Sequence, residues 1–175
     1  MIKLVLATLL SLFLSLAQSA DFDKGATAYQ AGDFRTAIAE WKPLAHGGNA
    51  TAQNYLGFMY DNGEGVLEDD LEAVKWYRLA AEQGHAGAQY GIGVMFANGE
   101  GVPQSSVYAH MWWNLATAQG DKKAKENKAI IARQMGAQQI ANAQELARAC
   151  VRKNYKNCYK RKTSKVSRKS IQSPR

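Results

Sequence analysis

The sequence predicts an all-α fold: an α-solenoid of antiparallel helix pairs with C-terminal capping helices and a basic tail. Three observations predict it. Shifting the chain by 36 residues lays Ala50-Thr-Ala-Gln-Asn-Tyr-Leu-Gly on Ala86-Gly-Ala-Gln-Tyr-Gly-Ile-Gly, and Asn62-Gly-Glu-Gly-Val on Asn98-Gly-Glu-Gly-Val, without a gap. Trp76, Leu79, Ala80, Gln83 and Gly84 fall likewise on Trp112, Leu115, Ala116, Gln119 and Gly120. Within each copy, apolar residues recur at helical spacing between polar caps and glycine stops. A fixed period of this length marks a stack in which no unit buries its apolar face alone.

Residues 1–20 read as a signal peptide. Lys3 gives a positive start, Leu4 to Leu16 an apolar stretch too short to span a bilayer comfortably, and Ala17-Gln-Ser-Ala a cleavage region, after Ser19 or Ala20. The mature chain is therefore expected to be soluble and periplasmic or secreted. Residues 21–49 form a first helix pair: Phe22 to Gln30, then a helix capped by Asp33 and running to about Ala45, with Pro43 expected to kink or shorten it. Residues 50–85 hold a helix from Ala50 to about Asp61, capped by Asn49 and stopped by Asn62-Gly63, then a loop and a helix from near Asp70 to Gln83-Gly84. Gly57 in mid-helix costs about 1 kcal/mol relative to Ala, and its recurrence as Gly93 points to a close helix–helix approach. Residues 86–121 repeat the plan, with Ser105 or Ser106 as cap and with Trp112-Trp113 in place of Trp76-Tyr77.

Residues 122–158 read as capping helices, Lys122 to about Met135 and Ala137 to about Arg152, split by Gly136. Ile140, Ala143, Leu146, Ala147 and Cys150 share one face of the second, which is expected to seal the stack. Cys150 and Cys158 are the only cysteines, and export favours their pairing. Closing a loop of about 9 residues contributes about 2.5 kcal/mol by chain entropy, less any strain. Residues 159–175 form a basic tail with little to bury and are expected to be disordered.

Charge is segregated along the chain. Residues 21–121 carry 5 Lys/Arg against 13 Asp/Glu, and residues 122–175 carry 16 against 2. Arg152–Arg175 alone holds 10 Lys/Arg and no acid, a composition suited to anionic lipid or lipopolysaccharide phosphates, or to plain solvation. Nucleic acid would suit it chemically but is not expected where an exported protein works.

The repeated residues resemble the Sel-1-like repeat family, a relative of the tetratricopeptide repeat. The family pattern runs A-x-A-Q-x-x-L-G-x-x-Y, a G-x-G-V loop with Gly65 and Gly101 here, then A-x-x-W-Y-x-x-A-A-x-Q-G. Departures are Ile92, Phe96, Trp113 and Thr117. The first pair, with its short inter-helix loop, looks more like a plain tetratricopeptide unit, and Met135-Gly-Ala-Gln-Gln-Ile-Ala-Asn-Ala-Gln looks like the closing helix of small bacterial members. The resemblance implies an adaptor with a concave face that docks a peptide or protein. By analogy that face is lined by Phe22, Ala26 and Tyr29, then Asn54, Phe58 and Asp61, then Tyr90, Val94 and Ala97. The competing reading makes Phe58 and Tyr90 packing residues.

No pattern points to catalysis, a metal or a cofactor. His46, His85 and His110 have no His or Cys at ligand spacing. Glu64 and Glu100 recur because the repeat recurs, and the glycine-rich loops lack the Lys-Ser/Thr of a phosphate-binding loop. Cysteine-rich members of the family are associated with β-lactam binding or hydrolysis, and an enzyme of cell-wall or β-lactam chemistry is the alternative; the cysteine-free second and third units argue against it.

Overall fold

The structure, a computed structural model, describes residues 22–159; the predicted signal segment and residues 160–175 lie outside the described residues. The described chain contains eight helices and no strand: α1 (22–30), α2 (Phe34–His46), α3 (Ala50–Asn62), α4 (Asp70–Ala81), α5 (Ala86–Asn98), α6 (Ser106–Ala118), α7 (Lys122–Ala132) and α8 (Ala137–Arg152). From α2 to α7 each helix packs on the next. First helices of successive units (α1, α3, α5, α7) thus alternate with second helices (α2, α4, α6).

The caps follow the repeat. Asn49, His85 and Asp121 stand 36 residues apart and cap α3, α5 and α7, each side chain accepting from the amide three residues on. Asp69 and Ser105 do the same for α4 and α6. The loop glycine Gly101 serves a double need. Its φ is +64°, and a Cβ there would stand 2.4 Å from the Asp70 carbonyl oxygen, so the loop of the third unit lies against the start of α4. Gly65 repeats this against Phe34 at the start of α2.

The mid-helix glycines have a more specific partner than helix backbone. A Cβ at Gly57 would stand 2.7 Å from the Tyr77 ring, and one at Gly93 2.5 Å from Trp113 Nε1. Gly25 meets Trp41 in the same way at 2.5 Å. Each unit therefore lays one aromatic ring of its second helix flat on bare backbone of its first, where a β-carbon would exclude it. In the second and third units these rings come one position after Trp76 and Trp112. The latter two are themselves buried, Trp76 beside His46 and Trp112 in the main cluster.

The motif glutamines join the units. Gln53 donates to the Ala45 carbonyl, and Gln89 to that of Ala81. Each accepts from the glutamine at the end of its own unit, Gln83 and Gln119, at 2.7 Å. Buried amides that satisfy one another in this way fix the register between units.

Three details differ from the sequence reading. The helix α2 continues through Pro43 to His46, because proline in the last turn removes only one donor and the Pro43 carbonyl still accepts from Gly47. The helix α7 ends at Ala132, short of Met135. The last helix, α8, seats its Ala143–Ala147–Cys150 face on the core with α6 as its main neighbour, so it covers the stack beside α7 instead of extending it.

The chain after α8 is pinned. Cys150 and Cys158 form a disulfide with Cα atoms 5.0 Å apart. Within that loop Asn154, Tyr155 and Asn157 adopt left-handed φ of 53°, 62° and 54°. Tyr155 lies against Gly84, and Tyr159 meets the rings of Phe96 and Tyr108 edge-on at 4.8 and 5.0 Å.

Candidate functional site

An open cleft of about 570 Å³ lies between α3, α5 and the start of α7. Its walls come from equivalent helix positions in consecutive units. Asn54, Phe58 and Asp61 stand on α3, Tyr90 and Val94 on α5, and all five line it. The floor is Tyr77, whose ring is held between Gly57 of its own unit and Gly91 of the next, so its hydroxyl reaches the cleft and donates to Asp61 Oδ2 at 3.3 Å. Gly87 and Gly91 lie along one wall, Gly91 beneath the Tyr77 ring. Asp121, Lys122 and Lys123 close the far rim.

Five of the nine residues expected on a concave face thus meet in one place, and Phe22, Ala26, Tyr29 and Ala97 do not. Phe22 and Tyr29 are half-buried members of an aromatic group with Trp41 and Tyr55. Phe22 also offers its carbonyl to Trp41 Nε1 at 3.1 Å. Trp41 lies over α1, and both side chains pack against its ring. Ala97 lies in a neighbouring depression with Trp113, Asn127 and Ile130. Phe58 is 39% exposed, whereas Tyr90 is half buried and bound at both ends, its carbonyl accepting from Trp113 and its hydroxyl from Asn127.

Sequence reasoning did not place Tyr77, Gly87, Gly91 or the Lys122–Lys123 pair in the site. The signal for the lysines was present: Asp121 holds the cap position of Asn49 and His85, so α7 starts where a fourth first helix would start. Tyr77 could be found only from its packing, since its counterpart Trp113 turns its ring nitrogen to the Tyr90 carbonyl instead.

Electrostatics give the cleft a polarity. Burial, with Glu100, Asp70 and Glu68 nearby, raises the Asp61 carboxyl above the usual carboxylate range despite the Tyr77 hydrogen bond. Burial and Asp61 in turn hold the Tyr77 phenol well above its ordinary value. At the other rim Lys122 and Lys123 are exposed, and the Asp121 carboxylate is engaged by the Ala124 amide at 2.8 Å. Glu64 and Glu100 do not act as a pair. Burial and then Glu64 push the Tyr29 phenol up to about 12, while Glu100 accepts from Asn98. Among the described residues no group of three or more His, Cys, Asp or Glu is placed to hold a metal ion. No described helix is long and apolar enough to cross a membrane.

Comparison with known proteins places this geometry. The Sel1 repeat pattern matches residues 50–85 and 86–121. The crystal structure of c5321, a protective antigen present in uropathogenic Escherichia coli strains and displaying an SLR fold, is similar over 90% of this chain and 35% of that one, with TM-score 0.74 and 25% identity. A Sel1 repeat protein from Oxalobacter formigenes is similar over 63% of this chain and 45% of its own, with TM-score 0.60 and 32% identity. The chain therefore spans less than half the length of either. No curated protein matches it in sequence. The chain thus carries two tandem Sel1 repeats, set in an all-helical stack similar to solved proteins of the SLR fold.

Proposed function

We propose that the chain is an exported, non-catalytic adaptor whose cleft between α3, α5 and α7 binds an extended segment of a peptide or protein partner. Sel1 repeats generally act as protein-interaction scaffolds. The observation that carries the reading is convergence: Asn54, Phe58, Asp61, Tyr90 and Val94 line a single cleft of about 570 Å³. That cleft combines an exposed aromatic with polar side chains, the mixture that peptide recognition uses. Export is supported by the character of residues 1–20 and by the Cys150–Cys158 disulfide, which an oxidising compartment maintains. The test is affinity capture from the native envelope by the wild type and by an Asn54→Ala, Phe58→Ala, Tyr90→Ala triple variant. Selective loss of one partner by the variant supports the cleft, and equal recovery by both would remove it.

A second role for the C-terminal end is favoured by the segregation of charge. Residues 122–175 carry 16 Lys/Arg against 2 acids, and we assign to Arg152–Arg175 a contact with anionic envelope lipid or lipopolysaccharide. Arg152 itself is already tied to Glu145. Co-sedimentation with vesicles containing phosphatidylglycerol should weaken with salt and with removal of residues 159–175. Sedimentation indifferent to both would dismiss this role.

A further inference from the structure

The polarity of the cleft narrows its occupant. Asp61 is half buried in the last turn of α3, and one of its oxygens carries the Tyr77 hydrogen bond. No Lys, Arg or His among the described residues forms an ion pair with it. The charges that act on it, Glu100, Asp70 and Glu68, are all of its own sign. Nor does the repeat require an acid there. The same register holds Tyr29, Ala97 and Arg133 in the other units, and the stack accommodates all of them. A carboxylate held partly out of water without a counter-charge is a standing cost unless a ligand supplies the cation. The lysines of the opposite rim do not supply it. Exposed and solvated, they lie at the mouth, where salt screens them. Phe58, Val94 and Gly87 also line the cleft.

Resting on the reading of this cleft as a peptide site, we propose that the bound segment presents a lysine or arginine side chain to Asp61. The aliphatic stem of that side chain lies over Phe58 and Val94, as long cationic side chains do when an apolar wall flanks their partner. The second Asp61 oxygen accepts from the cationic head, and the peptide backbone runs past Gly87, which carries no side chain.

Four pools of acetylated hexapeptide amides test this. The third residue is fixed as Lys, Arg, norleucine or Glu, and the other positions are drawn from Ala, Leu, Phe and Ser. Binding is read from the amide signals of Gly87 and Gly91 in the isotopically labelled wild-type chain and in Asp61→Asn, whose side-chain carbonyl still accepts from Tyr77. The Lys and Arg pools should bind about tenfold more tightly than norleucine, the factor expected of a partly buried charge-assisted hydrogen bond. Asp61→Asn should erase that preference and leave the norleucine pool unchanged. Equal binding of Lys and norleucine pools, both weakened by Phe58→Ala, would overturn the cation assignment and leave the peptide cleft standing. A Glu pool that binds best would overturn it as well, by giving the lead to the rim lysines. Failure of every pool to move Gly87 and Gly91 would remove the peptide reading itself, and this inference with it. The comparison among pools uses the wild type alone, so a misfolded variant leaves the test intact.

Discussion

Gly93→Ala isolates the device that holds each unit together. In an ordinary helix interior this change stabilises by about 1 kcal/mol, because alanine is the better helix former. Here the added carbon would stand 2.5 Å from Trp113 Nε1 and 2.6 Å from its Cδ1. Ordinary carbon contacts are about 3.5–4.0 Å, so the ring must retreat by about 1 Å. It has nowhere cheap to go. Trp113 is 4% exposed, and its Nε1 donates to the Tyr90 carbonyl at 3.1 Å. Overpacking costs about 1–3 kcal/mol, and disturbing that hydrogen bond adds about 1 kcal/mol. After subtracting the propensity gain, the net loss is about 1–3 kcal/mol, a fall in Tm of roughly 3–10 °C. Urea melts followed by far-ultraviolet circular dichroism measure it, with Trp113→Leu and the double variant completing a cycle. In the Trp113→Leu background the alanine should become stabilising. A Gly93→Ala chain as stable as wild type, or a cycle without coupling, would refute the ring-on-glycine account.

Other outcomes follow from the same geometry. Gln89→Leu should cost about 1–3 kcal/mol by leaving Gln119 and the Ala81 carbonyl unpaired, and Gln53→Leu should match it within the repeat; urea midpoints check both. Reduction of Cys150–Cys158 should lower stability by about 2.5 kcal/mol, and trypsin should then gain cleavage at Lys153 and Lys156 that the oxidised chain resists, since the three left-handed residues lose their clamp. Burial lowers the pKa of His85, and burial with Lys128 lowers that of His110, so between the folded value and about 6.5 the unfolded chain binds more protons than the folded one. Stability is therefore full above about pH 7 and falls on acidification through that window. His85→Asn, which restores the cap chemistry of Asn49, should flatten its share of the loss in thermal melts at stepped pH. Asp61 acts in the opposite sense at lower pH, since its raised carboxyl favours the folded state as pH falls toward the ordinary carboxylate value.

The helices and their period were legible because the chain repeats its caps, glycines and glutamines in register. The partners of those residues were less so. Gly57 and Gly93 announce a close approach, but only the packed structure shows that Tyr77 and Trp113, not the neighbouring Trp76 and Trp112, lie on them. One residue along a helix turns a side chain by about 100°, and near a core edge both faces can be aromatic. Phe22 and Tyr29 depart from the groove for a related reason. Equivalence in register carries them there, while Trp41 and Tyr55 gather them into an aromatic group. The seat of α8 on α6 depends on contacts distant in sequence, and no local pattern encodes it. In the cleft, Asn54, Phe58, Asp61, Tyr90 and Val94 were expected on one face only by analogy with tetratricopeptide units, whereas His85 as a cap required comparison with Asn49 and Asp121.

One ring sets the width of the cleft. Tyr77 is wedged between Gly57 and Gly91, so α3 and α5 are spaced by a single aromatic thickness with no flexible side chain between. At the following junction Asn127 holds the place that Gly91 holds here, and the match is not repeated. For the peptide proposed above the slot is therefore ready-made, and little ordering entropy would be lost on its capture. Discrimination among guests then falls to chemical fit within a fixed aperture, and exchange should be fast and ungated.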